Sequence, residues 1–448
     1  MLALCGWSLK LHSKIVMAYC IAACAAMLPQ RPAFSDSSNQ QAEAGVGAGT
    51  LTSQRQALSR RGFTYGLNYT ADVLGNPTGG ERQSAHYDGL VELWADINFE
   101  SLAGWRGLTF HVNAFQIHGT SITADNIGSF VSVSNIEAFP STRLDELWFE
   151  QNLLSDLISI RFGEMAIDTE FLIAENAAVF IASTFGWTTL TSDNLPYGGP
   201  IYPFAAPGVR LALEPNDDLK LMVGVYNSDP IGPCPENRDP GQCNPHGLEF
   251  RLGDPPLLVA ETEYRYGDRS SLPGAIKLGG WYQFDEVHHQ ELQLVKEGRR
   301  HDGNYAAYAV FDQMVYRPAG GAEGPGVSLF MRAVVSPADR NQIHAYADAG
   351  VVFTGLFPRR PYDVFGIAVA YTGLSDEAIH LHSSNASCFF QNCEALLEVT
   401  YAAEIMPHWT MQPVVQYVLH PGGGSTDEAD GQDIPSALVV GMRTNLSF

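Results

Sequence analysis

Charged and aromatic side chains recur at every second position along several stretches of this 448-residue sequence. Glu92, Trp94 and Asp96 form one such set, and Glu146, Trp148 and Glu150 another. Arg161, Arg210, Glu261, Glu263, Arg265, Lys277, Trp281 and Arg332 occupy equivalent positions in later stretches. A spacing of two puts side chains on one face of a strand. Carboxylates, guanidinium groups and indoles on a wet face can hydrogen-bond a polar solute and stack against it. That is binding chemistry, and nothing in the chain points to catalysis. Gly-x-Ser-x-Gly, Gly-x-x-x-x-Gly-Lys-Ser/Thr and His-Glu-x-x-His do not occur. The densest metal-like group, His288, His289 and Glu291, lies between Glu286 and Lys296 and reads as a solvated loop. His380 and His382, near Cys388, read the same way. No cofactor-binding signature is present, so no cofactor and no enzymatic activity are expected.

The elements that must carry these residues follow from what lies between them. Val91, Leu93, Ala95, Ile97 and Phe99 share the face opposite Glu92, Trp94 and Asp96. Leu108, Phe110, Val112 and Ala114 oppose Thr109, His111 and Asn113 in the same manner. About 16 such segments run from residue 63 to residue 448, near 63–74, 88–100, 106–118, 142–152, 157–165, 207–215, 218–227, 257–267, 274–285, 304–317, 326–335, 344–355, 363–373, 394–406, 409–419 and 437–448. Short connections such as 215–217 and 101–105 alternate with long ones at 119–141, 166–206, 228–256, 285–303, 374–393 and 420–436. An even number of alternating strands with short turns on one rim and long loops on the other describes an all-β fold, a transmembrane antiparallel barrel with long extracellular loops and short periplasmic turns. A soluble sandwich would bury one face of nearly pure Val, Ile and Leu, but here the second face carries Glu, Arg, Trp and Tyr. Tyr69, Phe99, Phe284, Tyr371, Tyr401 and Tyr417 fall at outward parity and read as lipid or interfacial residues. Pro413, also outward, reads as a bulge.

Composition agrees. The mean hydropathy is -0.06, and 17% of residues are charged. There are 49 acids against 26 bases, a balance that excludes nucleic-acid binding. Lys10 and Lys14 precede an apolar run over 15–28, then Pro29 and Pro32 break it, which is the pattern of a cleaved secretory signal over 1–35. Removing that segment, which holds Lys10, Lys14 and Arg31 and no acid, takes the net charge from -23 to -26. Residues 36–57, rich in Ser, Gln, Gly and Ala, read as a flexible lead-in to a barrel over 58–448. Export to an oxidising compartment favours two loop disulfides, Cys234–Cys243 and Cys388–Cys393, over a metal site. Phe448 closes the amphipathic strand 438–448 and resembles the terminal signal read by the barrel-assembly machinery.

Three stretches resemble the carbohydrate-selective, glucose-type porins of Gram-negative outer membranes. They are LSRRGFTYGLNYTADVLGNPTGG at 58–80, DELWFE at 145–150 with IRFGEM at 160–165, and QPVVQYVLHPGGG at 412–424. The resemblance spans roughly 58–448. It implies a 16-stranded barrel in the outer membrane, with monosaccharides diffusing through it without energy input and a monomeric state favoured. The fourteen inward residues named above are then candidates for the pore lining. The alternative is a general porin, or one preferring polyols, sugar acids or cations. Residues 166–206 include 171–182, too apolar for a solvated tip, and are expected to fold inward and narrow the pore.

Overall fold

Every strand pairs with its sequence neighbours, and the first pairs with the last, so no edge is left open. The computed structural model describes residues 49–448 apart from 236–237, 239, 268–270, 287–301, 319–324, 376–392 and 426–431. The signal segment, the His288/His289/Glu291 group and the His380/His382 pair lie outside the described residues. The strands are β1 (Phe63–Thr78), β2 (Ala85–Asn98), β3 (Leu108–Gly119), β4 (Ser141–Leu153), β5 (Ile158–Met165), β6 (Ala206–Asn216), β7 (Leu219–Asn227), β8 (Pro256–Tyr266), β9 (Gly274–Glu286), β10 (Asp302–Tyr316), β11 (Gly326–Val335), β12 (Ile343–Thr354), β13 (Val364–Leu374), β14 (Cys393–Met406), β15 (Trp409–Leu419) and β16 (Ala437–Ser447). All pairings are antiparallel, including β1 with β16 at the seam. The 16 strands lie within a few residues of the expected segments.

Burial follows parity with its usual meaning reversed. On β6 Val209 and Leu211 are exposed, while Arg210 between them is buried. On β8 Glu261 and Glu263 are buried, and Ala260, Thr262 and Tyr264 are exposed. Leu93 and Met331 are each more than half exposed. Apolar side chains turned out and charged ones turned in suit a wall with lipid outside and a polar interior. Among the described residues no helix is long and apolar enough to cross a membrane. The strands do the crossing.

The turns on the short rim are built from local hydrogen bonds. Asn216 Oδ1 accepts the N–H groups of Asp218 and Leu219 at 3.0 and 2.9 Å, closing the tight β6–β7 connection. The connection after β2 corrects the expected extended run through residue 100. Asn98 caps a short helix, α2 (Phe99–Ala103), by accepting from Ser101 N at 3.1 Å, and Gly104 ends it at φ 75°. The last residues of the lead-in are helical, in α1 (Gly49–Ser59).

The other rim carries the long loops, among them L2 (residues 120–140), L3 (166–205) and L4 (228–255). β5 is 8 residues long and β4 is 13, so part of the β4 edge stands above its neighbour. L4 covers that edge: Leu144 N–H donates to the His246 carbonyl at 2.9 Å, and His246 Nδ1 lies 3.1 Å from the Thr142 carbonyl. Cys234 and Cys243 are bonded within L4. Cys393 is disulfide-bonded at the start of β14, and its expected partner, Cys388, lies outside the described residues.

L2 and L3 do not stand above the barrel but fill much of it. Phe171, Leu172, Phe180, Ile181, Phe185 and Leu190 of L3 are fully buried, as are Ile122, Ile127 and Val133 of L2. Phe180 and Phe185 pack against Phe330 on β11, with ring centroids 5.7 and 6.2 Å apart. L3 therefore folds inward, as its apolar run led one to expect.

Candidate functional site

Carboxylates on the barrel wall hold the two inner loops by accepting backbone N–H groups. Glu146 on β4 accepts from Ala166 at 3.0 Å, and Glu261 on β8 from Leu172 at 2.9 Å. Asp312 on β10 takes the N–H groups of Glu175 and Asn176 at 2.9 and 3.2 Å. Glu398 on β14 takes those of Ile181 and Ala182 at 2.7 and 2.9 Å. Arg332 on β11 does the converse. It donates to the carbonyls of Leu172, Thr184 and Gly186 while paired with Asp348. L2 is held likewise. Glu394 on β14 accepts from Phe130 and Val131 at 2.9 and 2.8 Å, and Gln416 donates to the Val133 carbonyl at 2.8 Å. Asp72 accepts from Ser134 Oγ at 2.6 Å. A charge-assisted bond of this kind is worth about 1.5–3 kcal/mol, so a loop stitched by several is fixed.

Apart from Glu146 on β4, these groups lie on β8, β10, β11, β12, β14, β15 and the seam, so the loops cover chiefly that half of the wall. The inner faces left to the channel include those of β2 to β6. A continuous strip of contacts crosses them. Asp96 on β2 lies 2.6 Å from Nδ1 of His111 on β3. The His111 ring stacks on Trp148 of β4, with centroids 4.8 Å apart. The guanidinium of Arg161 on β5 sits 3.8 Å from the Trp148 ring centroid, a cation–π contact. Arg161 then pairs with Glu150 at 2.7 Å and with Glu170 of L3 at 3.4 Å. Arg210 on β6 pairs with the same two carboxylates at 2.9 and 2.7 Å. Two guanidinium groups and two carboxylates thus form a closed square to which L3 contributes one corner.

The fourteen residues named from sequence divide between these settings. Glu92, Trp94, Asp96, Trp148, Glu150, Arg161 and Arg265 face inward with part of each side chain accessible, and Glu263 faces inward but is buried. Arg210 faces inward but is almost wholly buried in the square. Glu146, Glu261, Lys277, Trp281 and Arg332 are buried, which corrects their expected place on the open lining. The reason is coverage: Glu146, Glu261 and Arg332 bond L3 directly. Trp281 belongs to the apolar cluster beneath it, and Lys277 lies directly across from Glu263 on β8. Glu263 itself is engaged by Arg265 at 2.9 Å.

Sequence reasoning missed Asp72, Asp312, Glu394, Glu398 and Gln416, all inward on their strands. The available signal was an isolated acid or amide at inward parity in an otherwise apolar strand. It also missed His111 and Glu170 as members of the strip. Burial shifts two loop acids. Asp168 at the root of L3 is pushed up to about 7, mainly by burial, opposed by the Tyr202 N–H and reinforced by Glu146. Burial also raises Glu137 of L2, against hydrogen bonds from Thr123, Ile122 and Ser121. Among the described residues no group of three or more His, Cys, Asp or Glu side chains could hold a metal ion.

A closed 16-stranded barrel with an apolar exterior and a charged interior narrowed by an infolded loop defines an outer-membrane porin, and so a protein of the Gram-negative outer membrane. The chain belongs to the carbohydrate-selective porin, OprB family, whose model matches residues 82–448. It is 23% identical over 429 residues to Porin B of Pseudomonas aeruginosa, covering 88% of this chain and 89% of that one. It is 19% identical over 421 residues to the putative porin QuiX of Acinetobacter baylyi, covering 88% and 91%. The fold is that of Pseudomonas putida OprB. The structure of that protein described as high-pH superposes with a TM-score of 0.75 at 21% identity over 89% of this chain and 97% of the other. The low-pH structure gives 0.57 at 18% identity, covering 90% and 97%.

Proposed function

We propose that this chain mediates passive, selective diffusion of monosaccharides of the glucose type across the outer membrane. The observation that carries the reading is the strip from Asp96 to Glu170. In the square, each carboxylate is bracketed by two guanidinium groups, so the rotamers of all four residues are fixed and their charges balance. A hydroxylated solute meets donors and acceptors at set positions, while an ion meets little net field from the square itself. A sugar can exchange its water for these groups and still leave, because no single contact is strong and water competes throughout. L3 sets the width and supplies Glu170, so size and hydrogen bonding are judged at the same place.

Liposome swelling with glucose, larger oligosaccharides and amino acids tests this. Glucose should enter faster than its size alone predicts, and Arg161→Gln, which opens the square and frees one face of Trp148, should lower that advantage. Rates that scale only with solute size, in both proteins, would support a general diffusion porin instead.

A further inference from the structure

We infer that the inner face of β2 forms a separate station on the sugar path, a subsite suited to a hexose that carries an amino group. The inference rests on the sugar-channel reading above. Three observations meet here. First, the indole of Trp94 lies against β1: a Cβ on Gly66 would fall 2.6–2.8 Å from Cζ2, Cε2 and Nε1 of the ring. Glycine at 66 is what lets the indole settle on the wall. Trp148 has His111 and Arg161 against its ring, whereas no ring or cation packs on Trp94 among the described residues. Its lumen side is therefore a free aromatic surface, with the negative face that attracts sugar C–H groups and, more strongly, an ammonium.

Second, Glu92 and Asp96 flank Trp94 at two residues on either side, about 7 Å along the strand each way. A pyranose resting on the indole would have its substituents within reach of either. Third, Glu92 is held in place without being neutralised. Asn68 Nδ2 donates to it at 2.9 Å and Asn113 Nδ2 at 3.4 Å, and the Asn113 amide is itself fixed by accepting from Glu146 N at 2.6 Å. No Lys or Arg pairs with Glu92 among the described residues. Among the described residues, the basic partner of Asp96 is His111 alone. The square at the constriction is balanced, whereas this station is anionic. An ammonium at one ring position gains from both the carboxylate and the indole face, and a sugar acid is repelled.

The test is block of single-channel current in planar bilayers by glucose, glucosamine and glucuronate, at a pH where the amine is protonated. Glucosamine should block at a concentration roughly three- to tenfold lower than glucose, the scale of one partly exposed charge contact plus one cation–π contact. Glucuronate should be the weakest. Glu92→Gln should remove most of the glucosamine advantage, weakening glucosamine block far more than glucose block. Trp94→Ala, and Gly66→Ala by displacing the ring, should weaken glucose and glucosamine together without altering the potassium-to-chloride selectivity. A heat-modifiable gel shift confirms that each variant is a folded barrel. Equal block by glucose and glucosamine in the native protein overturns the proposal, as does an advantage that survives Glu92→Gln. No block by any sugar, with flux set by size alone, would instead sink the sugar-channel reading.

Discussion

Glu398 offers the sharpest test of how the constriction is held. Its carboxylate accepts the N–H groups of Ile181 and Ala182 at 2.7 and 2.9 Å and Gln416 Nε2 at 3.1 Å, and the residue is fully buried. Glu398→Ala removes the acceptor for both backbone donors at once. An unmet buried donor costs about 1–3 kcal/mol, so the pair costs about 2–6 kcal/mol. At about 1.36 kcal/mol per decade, local opening of 179–183 should become easier by roughly 30-fold to 10⁴-fold. The ladders from β14 to β13 and β15 are untouched, so the barrel itself should persist. Hydrogen exchange at the Ile181 and Ala182 amides reads the effect directly, and single-channel current should become noisier because the segment no longer stays against the wall. Glu398→Gln keeps one carbonyl acceptor and should fall between the two. Undiminished protection of both amides in a folded Glu398→Ala barrel would refute the idea that wall carboxylates fix L3.

Arg443 on β16 lies directly across the closing seam from Asp72 and bonds it at 2.8 and 2.7 Å, with a further bond to Asn135 Oδ1 at 2.7 Å. Arg443→Ala leaves a buried carboxylate without its cation, at a cost of about 3–5 kcal/mol. The temperature at which the gel shift is lost should drop, and Asp72→Asn in addition should recover part of the loss; an unchanged transition would count against the seam pair. Asp168 predicts a pH dependence. Its folded pKa, about 7, lies above the ordinary carboxylate value, so its contribution to stability is fully present below the unfolded pKa and is lost as pH rises through about 7. Proteolytic nicking of 166–205 should therefore increase from pH 5 to pH 8, and Asp168→Asn should flatten that rise. A variant as pH-sensitive as the native chain would assign the effect to another group.

The architecture was legible because parity and lipid leave few alternatives. A one-residue slip would put Arg210 into lipid and Val209 into the lumen, so the register of each strand is written in its own alternation. The infolding of L3 was legible for a related reason: Phe171, Leu172, Phe180 and Ile181 have no apolar phase to enter above the rim. Parity could not tell which inward charges meet water. Glu150 and Glu398 look alike in the sequence, each an inward acid beside a β-branched or aromatic neighbour. One lines the channel and the other is sealed under a loop, because L3 crosses to β14 and not to β4's lower half. That choice is made by tertiary contacts more than two hundred residues apart in sequence, as between Glu398 and Ile181, and no local pattern encodes it.

The same contrast explains how one chain uses charge for two purposes. Where a loop covers the wall, carboxylates meet backbone N–H groups or, at Asp348 and Asp72, a buried arginine, and the loop is fixed. Where the wall is left open on β2 to β6, carboxylates meet arginine side chains, with Glu170 of L3 among them, or nothing charged at all. Exchanging the two would fail in both directions. A guanidinium in place of Glu398 would face the Ile181 and Ala182 donors, and an alanine in place of Glu170 would leave Arg161 and Arg210 with one carboxylate between them. The width of the channel and its chemistry are thus set by a single decision of the fold, which half of the wall L2 and L3 occupy.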